Sequence, residues 1–369
     1  MFSREDEIFM RQALVLAEKG MNTTTPNPRV GCVLVKDGQV IATGWHERAG
    51  AAHAERMAIA SIDRARVRGA TAYITLEPCS HFGRTPPCAD LLIEAQIARV
   101  VVAMQDPNPQ VAGKGLARLR DAGIEVRCGL LEEEARALNI GFVKRMATGL
   151  PWVRAKIAAS IDGQTALPDG TSQWITDAPA RDDGHVWRAR ACAVMTGIGT
   201  VRQDNPRLNV RAIATSRQPL RIVTDARFEI DLGAAILSGG STLVAVTVDL
   251  EKPLFSEKRR QCQDLGVEVI QVPTVSSSHK VDLSSLMRLM GERGCNELHL
   301  EAGARLTGAM LQDQLVDECL IYLAPMFLGP GLPMAEGLGP WSTLDAVRRW
   351  RWQETRMIGN SLRARLVKD

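Results

Sequence analysis

Short apolar runs alternate with helix-patterned stretches along nearly the whole chain, which confines it to the α/β class. Phe9, Ala13 and Leu16 mark a helix from about Glu5 to Glu18. Strands at Val30–Val35 and Val40–Ala42 flank Lys36-Asp37-Gly38-Gln39, whose Asp-Gly pair predicts a hairpin. A helix from His53, a strand at Ala72–Leu76, a helix from Cys88, a strand at Arg99–Ala103, a helix from Gly115 and a last helix at Glu132–Lys144 follow. The expected sheet is mostly parallel and flanked by helices. Thr148-Gly149-Leu150-Pro151 breaks the last helix and the pattern restarts at Trp152–Ile157, giving expected domains 1–148 and 149–369. In the second, strands are expected near Ala193–Met195, Leu220–Thr224, Leu243–Val248, Val267–Val272, Glu297–Leu300 and Cys319–Leu323, with helices near Ala178–Arg190, Leu283–Glu292 and Arg305–Gln312. Ser276–Ser278 reads as part of a short polar loop.

Composition excludes several classes of function. With 45 Lys+Arg against 42 Asp+Glu, a net charge of +3 is too balanced for a protein that coats nucleic acid. Aromatic residues at 4% disfavour a binder that stacks single-stranded bases. The absence of a long apolar stretch predicts no membrane span, and the acidic start at Arg4-Glu5-Asp6-Glu7 lacks the basic and apolar regions of a secretory signal. Eight dispersed cysteines read as reduced thiols, so a cytoplasmic protein is expected. Six of them, Cys32, Cys128, Cys192, Cys262, Cys295 and Cys319, read as small buried hydrophobes.

The other two cysteines carry chemistry. His53-Ala54-Glu55 is followed by Pro78-Cys79 and then Pro87-Cys88. Catalytic zinc takes three protein ligands and keeps a fourth position for water, and His53, Cys79 and Cys88 would supply one imidazole and two thiolates. His-x-Glu, then Pro-Cys, then Cys is the order used by zinc-dependent nucleobase deaminases, in which the glutamate is a proton carrier and not a ligand. Glu55 would move the proton first to a ring nitrogen and then to the leaving amine. His53 and Cys88 both fall where a helix starts, which favours thiolate charge. Eight residues separate the two cysteines here, where the common deaminase spacing has two.

The second half is less explicit on its own. Gly197-Ile198-Gly199-Thr200 follows a strand, but a dinucleotide fingerprint lacks its third glycine because position 202 is Arg. Glu301-Ala302-Gly303-Ala304-Arg305 is either a phosphate-binding helix start or an ordinary strand-to-helix turn. Arg202, Arg207 and Arg211 are either a phosphate clamp or a solvated face. Asn27 and Asn108, each between prolines, read simply as rigid loop residues.

The long segment Cys79-Ser80-His81-Phe82-Gly83-Arg84-Thr85-Pro86-Pro87-Cys88 resembles the riboflavin-biosynthesis deaminase/reductase family, RibD. Thr25–Cys32, Gly50–Glu55 and Gln105–Gly115 extend the likeness through the first half. In the second, it continues in Lys156–Gly163, Ser172–Thr176, Thr196–Val201 with Asp204-Asn205-Pro206, Arg221–Asp225, Glu301–Gly303 and Ala324–Gly329. The resemblance implies a cytidine-deaminase-like domain followed by a dihydrofolate-reductase-like domain that uses NADPH. It implies zinc on His53, Cys79 and Cys88, Glu55 as proton carrier, and substrate contacts from Asn27, His46, His81, Asp106 and Asn108. In the reductase it implies an NADPH site at Ala158, Trp174, Thr200, Asp204 and the Gly303 turn. Ser172, Arg188, Leu208, Arg211 and Glu301 would meet a ribosyl phosphate, with Lys156 near the reacting carbon. Two departures stand out: Ala226 replaces a serine expected to meet the cofactor's extra phosphate, and Glu301-Ala302-Gly303 replaces Glu-Gly-Gly. The family further implies a phosphoribosyl pyrimidine substrate, no nucleic-acid or membrane partner, and a homodimer through the reductase domain.

Overall fold

The structure, a computed structural model, describes residues 2–81, 86–109, 111–275 and 280–369. Phe82–Thr85 of the cysteine segment, Gln110 and Ser276–Ser278 lie outside the described residues. The chain divides into two compact units, Met1–Gly149 and Leu150–Asp369.

The first unit runs α1 (Arg4–Glu18), β1 (Gly31–Lys36), β2 (Gln39–Trp45), α2 (Ala54–Ala60), α3 (Arg64–Val67), β3 (Thr71–Ile74), α4 (Cys88–Glu94), β4 (Arg99–Val102), α5 (Lys114–Asp121), β5 (Glu125–Cys128), α6 (Glu132–Leu138) and α7 (Ile140–Thr148). Its sheet has the order β2-β1-β3-β4-β5. Side chains alternate across it with period two. Cys32, Leu34, Ala72, Ile74, Val100 and Val102 face α2, α4 and α5, while Val33, Val35, Tyr73 and Val101 face α1, α6 and α7. Gly31 and Gly44 let helices rest directly on strand backbone: a Cβ on Gly31 would stand 2.0 Å from the Ala13 carbonyl oxygen, and one on Gly44 would stand 2.3 Å from that of Ala54.

The sheet is mixed and not mostly parallel as expected. β3 returns beside β1 running the same way as β2, so both ladders of β1 are antiparallel; β3–β4 and β4–β5 are parallel. The single helix expected at Glu132–Lys144 is two, broken at buried Asn139. Its amide accepts the Arg29 N–H at 2.8 Å and donates to the Arg29 carbonyl at 2.9 Å, at a φ of −108° that no continuous helix allows.

The second unit runs β6 (Trp152–Ser160), β7 (Gln164–Ala166), α8 (Ala178–Arg190), β8 (Ala193–Gly197), α9 (Ile198–Asp204), β9 (Leu220–Thr224), β10 (Thr242–Val246), α10 (Pro253–Asp264), β11 (Val267–Gln271), α11 (Leu283–Glu292), β12 (Glu297–Leu300), α12 (Ala304–Gln312), β13 (Glu318–Ala324), β14 (Leu332–Pro333), β15 (Trp350–Ile358) and β16 (Ser361–Lys368). Nine strands form one sheet in the order β11-β10-β9-β8-β12-β6-β13-β16-β15. It is parallel from β11 through β13 and antiparallel at the β16 and β15 edge. One face packs Val153, Ala155, Leu298 and Leu300 against α11 and α12.

The intervening residues of the central strands are charged yet covered. Arg154, Glu297 and Glu318 are at most 1% exposed. Arg154 bonds Glu318 at 2.8 Å and Glu297 at 3.2 Å, and its guanidinium lies 4.5 Å from the Trp187 ring of α8. Arg190 and Arg365 complete the charge balance at 2.7 Å from Glu297 and Glu318.

No disulfide joins any of the eight cysteines; Cys128 and Cys192 are half-buried where full burial was expected, because Cys128 ends an edge strand and Cys192 lies outside the strands, taking the Asn296 N–H at 3.2 Å. Among the described residues no helix is long and apolar enough to cross a membrane.

Candidate active sites

In the first unit, helix starts converge. His53 is the N-cap of α2 and Cys88 the first residue of α4, with Pro87 as its N-cap. β3 delivers Cys79 opposite them, where its sulfur accepts the Cys88 N–H at 3.3 Å. Nδ1 of His53 stands 3.6 Å from Cys79 Sγ and 3.3 Å from Cys88 Sγ, and the three donor atoms lie within 4.8 Å of one another. One imidazole and two sulfurs drawn this close without a disulfide are a donor set that fits zinc. The hydrogen bond with Cys88, aided by His53, lowers the Cys79 thiol despite burial, which favours the thiolate that a metal ligand needs.

Glu55, in the first turn of α2, is 3% exposed. Burial, with the Cys79 charge second, pushes its carboxyl up to about 7, where it can both take and release a proton. His46 lies edge-on to His53, ring centroids 5.6 Å apart. Its Nδ1 faces the Ala52 carbonyl oxygen at 3.0 Å and so must carry the proton. Nε2 therefore accepts from the Asn27 amide nitrogen at 3.0 Å, which turns the Asn27 carbonyl oxygen outward as an acceptor. His46 thus orients Asn27. Asp106 accepts the Asn108 N–H at 2.8 Å; burial raises its carboxyl, that N–H lowers it, and the charge of Glu77 raises it further. His81 itself is exposed.

Glu77 was not among the expected site residues. It is buried and accepts backbone N–H groups from the Asp106 and Gly113–Leu116 segments. Its signal was an acid placed at the end of an apolar strand, directly before Pro78-Cys79.

In the second unit, Glu301, just past β12, is held by Arg188 of α8 through two bonds of 2.7 and 2.9 Å. Arg188 also donates to the Asn209 carbonyl at 2.7 Å, tying in the segment of Leu208 and Arg211. Lys156 sits beneath: burial lowers its pKa, and the charge of Glu301 partly restores it. Two histidines of this cluster were missed. His185 takes the Arg211 N–H at 3.4 Å and is pulled down to about 4 by burial and by Arg188 and Arg211. His299, fully buried 3.6 Å from Glu301, is pulled to about 3, first by burial. His299 looks like a core residue between Leu298 and Leu300, and His185 follows Asp182-Asp183-Gly184 on a charged helix, so neither stood out as a site residue.

Among the residues expected around a cofactor, Gly303 donates its N–H to Thr200 Oγ1 at 3.2 Å. This brings together the starts of α9 and α12, neither of which has a side-chain cap, so their N–H groups suit an anionic phosphate. Asp204 ends α9 and is exposed, Ala158 is half-buried on β6, and Ser172 is half-buried before α8. Trp174, 63% exposed, is stacked 4.4 Å from Arg181 and lines a cavity of about 360 Å³ with Asp177, Met326 and Asn360; Lys156, Arg188 and Glu301 are not in that lining. Arg202 pairs with Glu229 at 2.9 Å, and the charge of Arg207 acts on Arg211.

Comparison with known proteins matches residues 3–104 to the cytidine and deoxycytidylate deaminase zinc-binding region and residues 151–363 to the RibD C-terminal domain. The chain is 43% identical to riboflavin biosynthesis protein RibD of Escherichia coli, over 98% of this chain and 99% of that one. It is 44% identical to the protein of the same name from Chlamydia trachomatis, over 98% and 95%. Among solved structures, Acinetobacter baumannii RibD superposes with a TM-score of 0.89 at 40% identity, covering 99% of both chains. A Thermotoga maritima diaminohydroxyphosphoribosylaminopyrimidine deaminase/5-amino-6-(5-phosphoribosylamino)uracil reductase gives 0.85 at 33%, again over 99% of both. With zinc-ligand geometry in one unit and a half-buried Lys-Glu-Arg cluster in the other, the chain belongs to the RibD family, the bifunctional deaminase/reductases of riboflavin biosynthesis.

Proposed function

We propose that residues 1–148 deaminate 2,5-diamino-6-(5-phosphoribosylamino)pyrimidin-4(3H)-one, and that residues 149–369 then use NADPH to reduce the ribosyl group of 5-amino-6-(5-phosphoribosylamino)uracil to ribityl. The observation that carries the first half is the convergence of His53, Cys79 and Cys88 beside buried Glu55. His53, Cys79 and Cys88 would hold zinc, which would supply a water acidified enough to react at neutral pH. Glu55 would carry one proton of the water to a ring nitrogen as the water oxygen bonds to C2, then carry the proton remaining on that oxygen to the amine, so that the C2–N bond breaks, C2 becomes a carbonyl and ammonia leaves. Asn27, oriented by His46, accepts from a donor on the substrate, while His81, Asp106 and Asn108 complete the contacts.

For the second half, NADPH supplies a hydride to C1′. Its site is formed by Ala158, Trp174, Thr200, Asp204 and Gly303, which the paired uncapped helix starts support. Lys156 stands as the proton-bearing group near C1′, and Ser172, Arg188, Leu208, Arg211 and Glu301 hold the ribosyl phosphate; Arg188 does so chiefly by fixing Glu301. Both sites read the same 5′-phosphate, which gives the fusion its chemical logic. The protein works in the cytoplasm, consistent with eight cysteines that form no disulfide, as a homodimer through the reductase unit.

The test follows ammonia release and NADPH absorbance together, with zinc-loaded protein and the diaminopyrimidinone ribosyl phosphate. Ammonia release coupled to NADPH oxidation is expected. Neither signal from folded, zinc-bearing protein would overturn the reading.

A further inference from the structure

Glu77 joins two parts of the deaminase pocket. It follows β3 and is bonded through Pro78 to the ligand Cys79. It is 4% exposed, and no ion pair to it occurs among the described residues. Four backbone N–H groups take its place: Asp106 at 3.1 Å and Gly113 at 2.9 Å on Oε2, Gly115 at 2.8 Å and Leu116 at 3.3 Å on Oε1. A carboxylate offers about four lone-pair sites, so this set is filled. The chain is shaped to make these bonds. Gly113 adopts φ +79°, in the left-handed region, and a Cβ on Gly115 would stand 2.0 Å from the Pro78 carbonyl oxygen.

The consequence passes along the backbone. Asp106, held through its N–H, in turn accepts the N–H of Asn108. We propose that Glu77 is a positioning residue of the deaminase, setting where Asp106 and Asn108 stand relative to the metal ligands and so governing pyrimidine affinity. This rests on the reading of Asp106 and Asn108 as substrate contacts. A glutamine at position 77 has the same shape but one acceptor. Its NH₂ must face either the N–H groups of Asp106 and Gly113 or those of Gly115 and Leu116, so two of the four bonds that hold this turn are lost.

The experiment uses the full-length, zinc-loaded chain and its Glu77→Gln and Glu77→Asp variants, each assayed for kcat and KM of ammonia release. Zinc content and NADPH-dependent reduction of the deaminated intermediate are measured alongside. For Glu77→Gln, KM is expected to rise about tenfold or more, with kcat within about threefold, since binding and not chemistry is disturbed. Zinc content and reduction should be unchanged. Glu77→Asp keeps the acceptors one methylene short, so its KM should fall between; it carries the test alone if the glutamine variant does not fold. An unchanged KM, a fall confined to kcat, or loss of zinc with activity would each overturn the proposal. No ammonia from the parent chain would overturn the substrate reading, and this proposal with it.

Discussion

Replacing Arg154 by methionine should destabilise the reductase unit by an amount the structure sets. Methionine fills a similar volume beside Trp187 but leaves Glu297 and Glu318 buried without their shared partner. Burial works to raise the Glu318 carboxyl, yet Arg154 and Arg365 together bring it from 4.5 down to about 2. At about 1.4 kcal/mol per unit of pKa, that difference is worth on the order of 3 kcal/mol. Deleting one partner of a buried pair typically costs about 3–5 kcal/mol. Arg365 and Arg190 remain to hold the two carboxylates, so the lower end, about 3 kcal/mol, is expected. For a unit of this size that lowers Tm by about 6–12 °C at pH 7, read by calorimetry. The sign with pH follows from the lowered pKa: Glu318 contributes fully above pH 4.5 and loses its contribution as pH falls towards about 2. The gap between parent and Arg154→Met should therefore close through that window. A drop under about 2 °C at pH 7, or a gap that persists in acid, would show that Arg154 acts by packing alone.

Glu55→Gln should lower ammonia release by about 10²–10⁴-fold, the usual worth of a positioned acid/base, while zinc content and reduction of the deaminated intermediate stay intact. If both activities fell together in folded protein, the division of labour between the units would be wrong. Stripping zinc with a chelator should abolish deamination and spare reduction; restored deamination on adding zinc back checks that the loss is the metal's. Nitrogen NMR of the histidines should find His46 protonated at Nδ1 alone at neutral pH, since Ala52 accepts there and burial lowers its pKa from 6.5. A proton on Nε2 would refute the orientation given to Asn27.

Elements with both a period and a cap were legible. α8 and α11 begin where expected because Asp177 and Asp282 accept the N–H groups of Ala180 and Ser285. The zinc ligands were legible because thiolates and imidazole have no substitute in that chemistry. β15 was not, because as an edge strand it exposes even Trp352 and Met357 and shows no alternation to find. α10 was missed because Cys262 is its one buried residue among those described. Arg154 and Lys156 look like a solvent face in Val153–Ile157; Arg154 is covered by Trp187 of α8 and pairs with carboxylates on β12 and β13, and the counter-charge of Lys156 is Glu301, just past β12. Glu77 stayed hidden for a different reason: its partners are backbone N–H groups, which carry no residue identity beyond the two glycines that bend towards it.

Gly44 carries no chemistry, yet the floor under α2 is its missing side chain. A single methyl there would press on the Ala54 carbonyl and the Ala58 nitrogen, lifting the helix that carries His53 and Glu55. Position 44 is therefore a spacer whose thickness is read out at the metal. Drift in this enzyme is free to repaint most of β2, but at that one carbon the smallest possible step in sequence is a step in ligand geometry. An engineer seeking a looser or differently shaped deaminase pocket would find the adjustment screw here, on a strand with no ligand of its own.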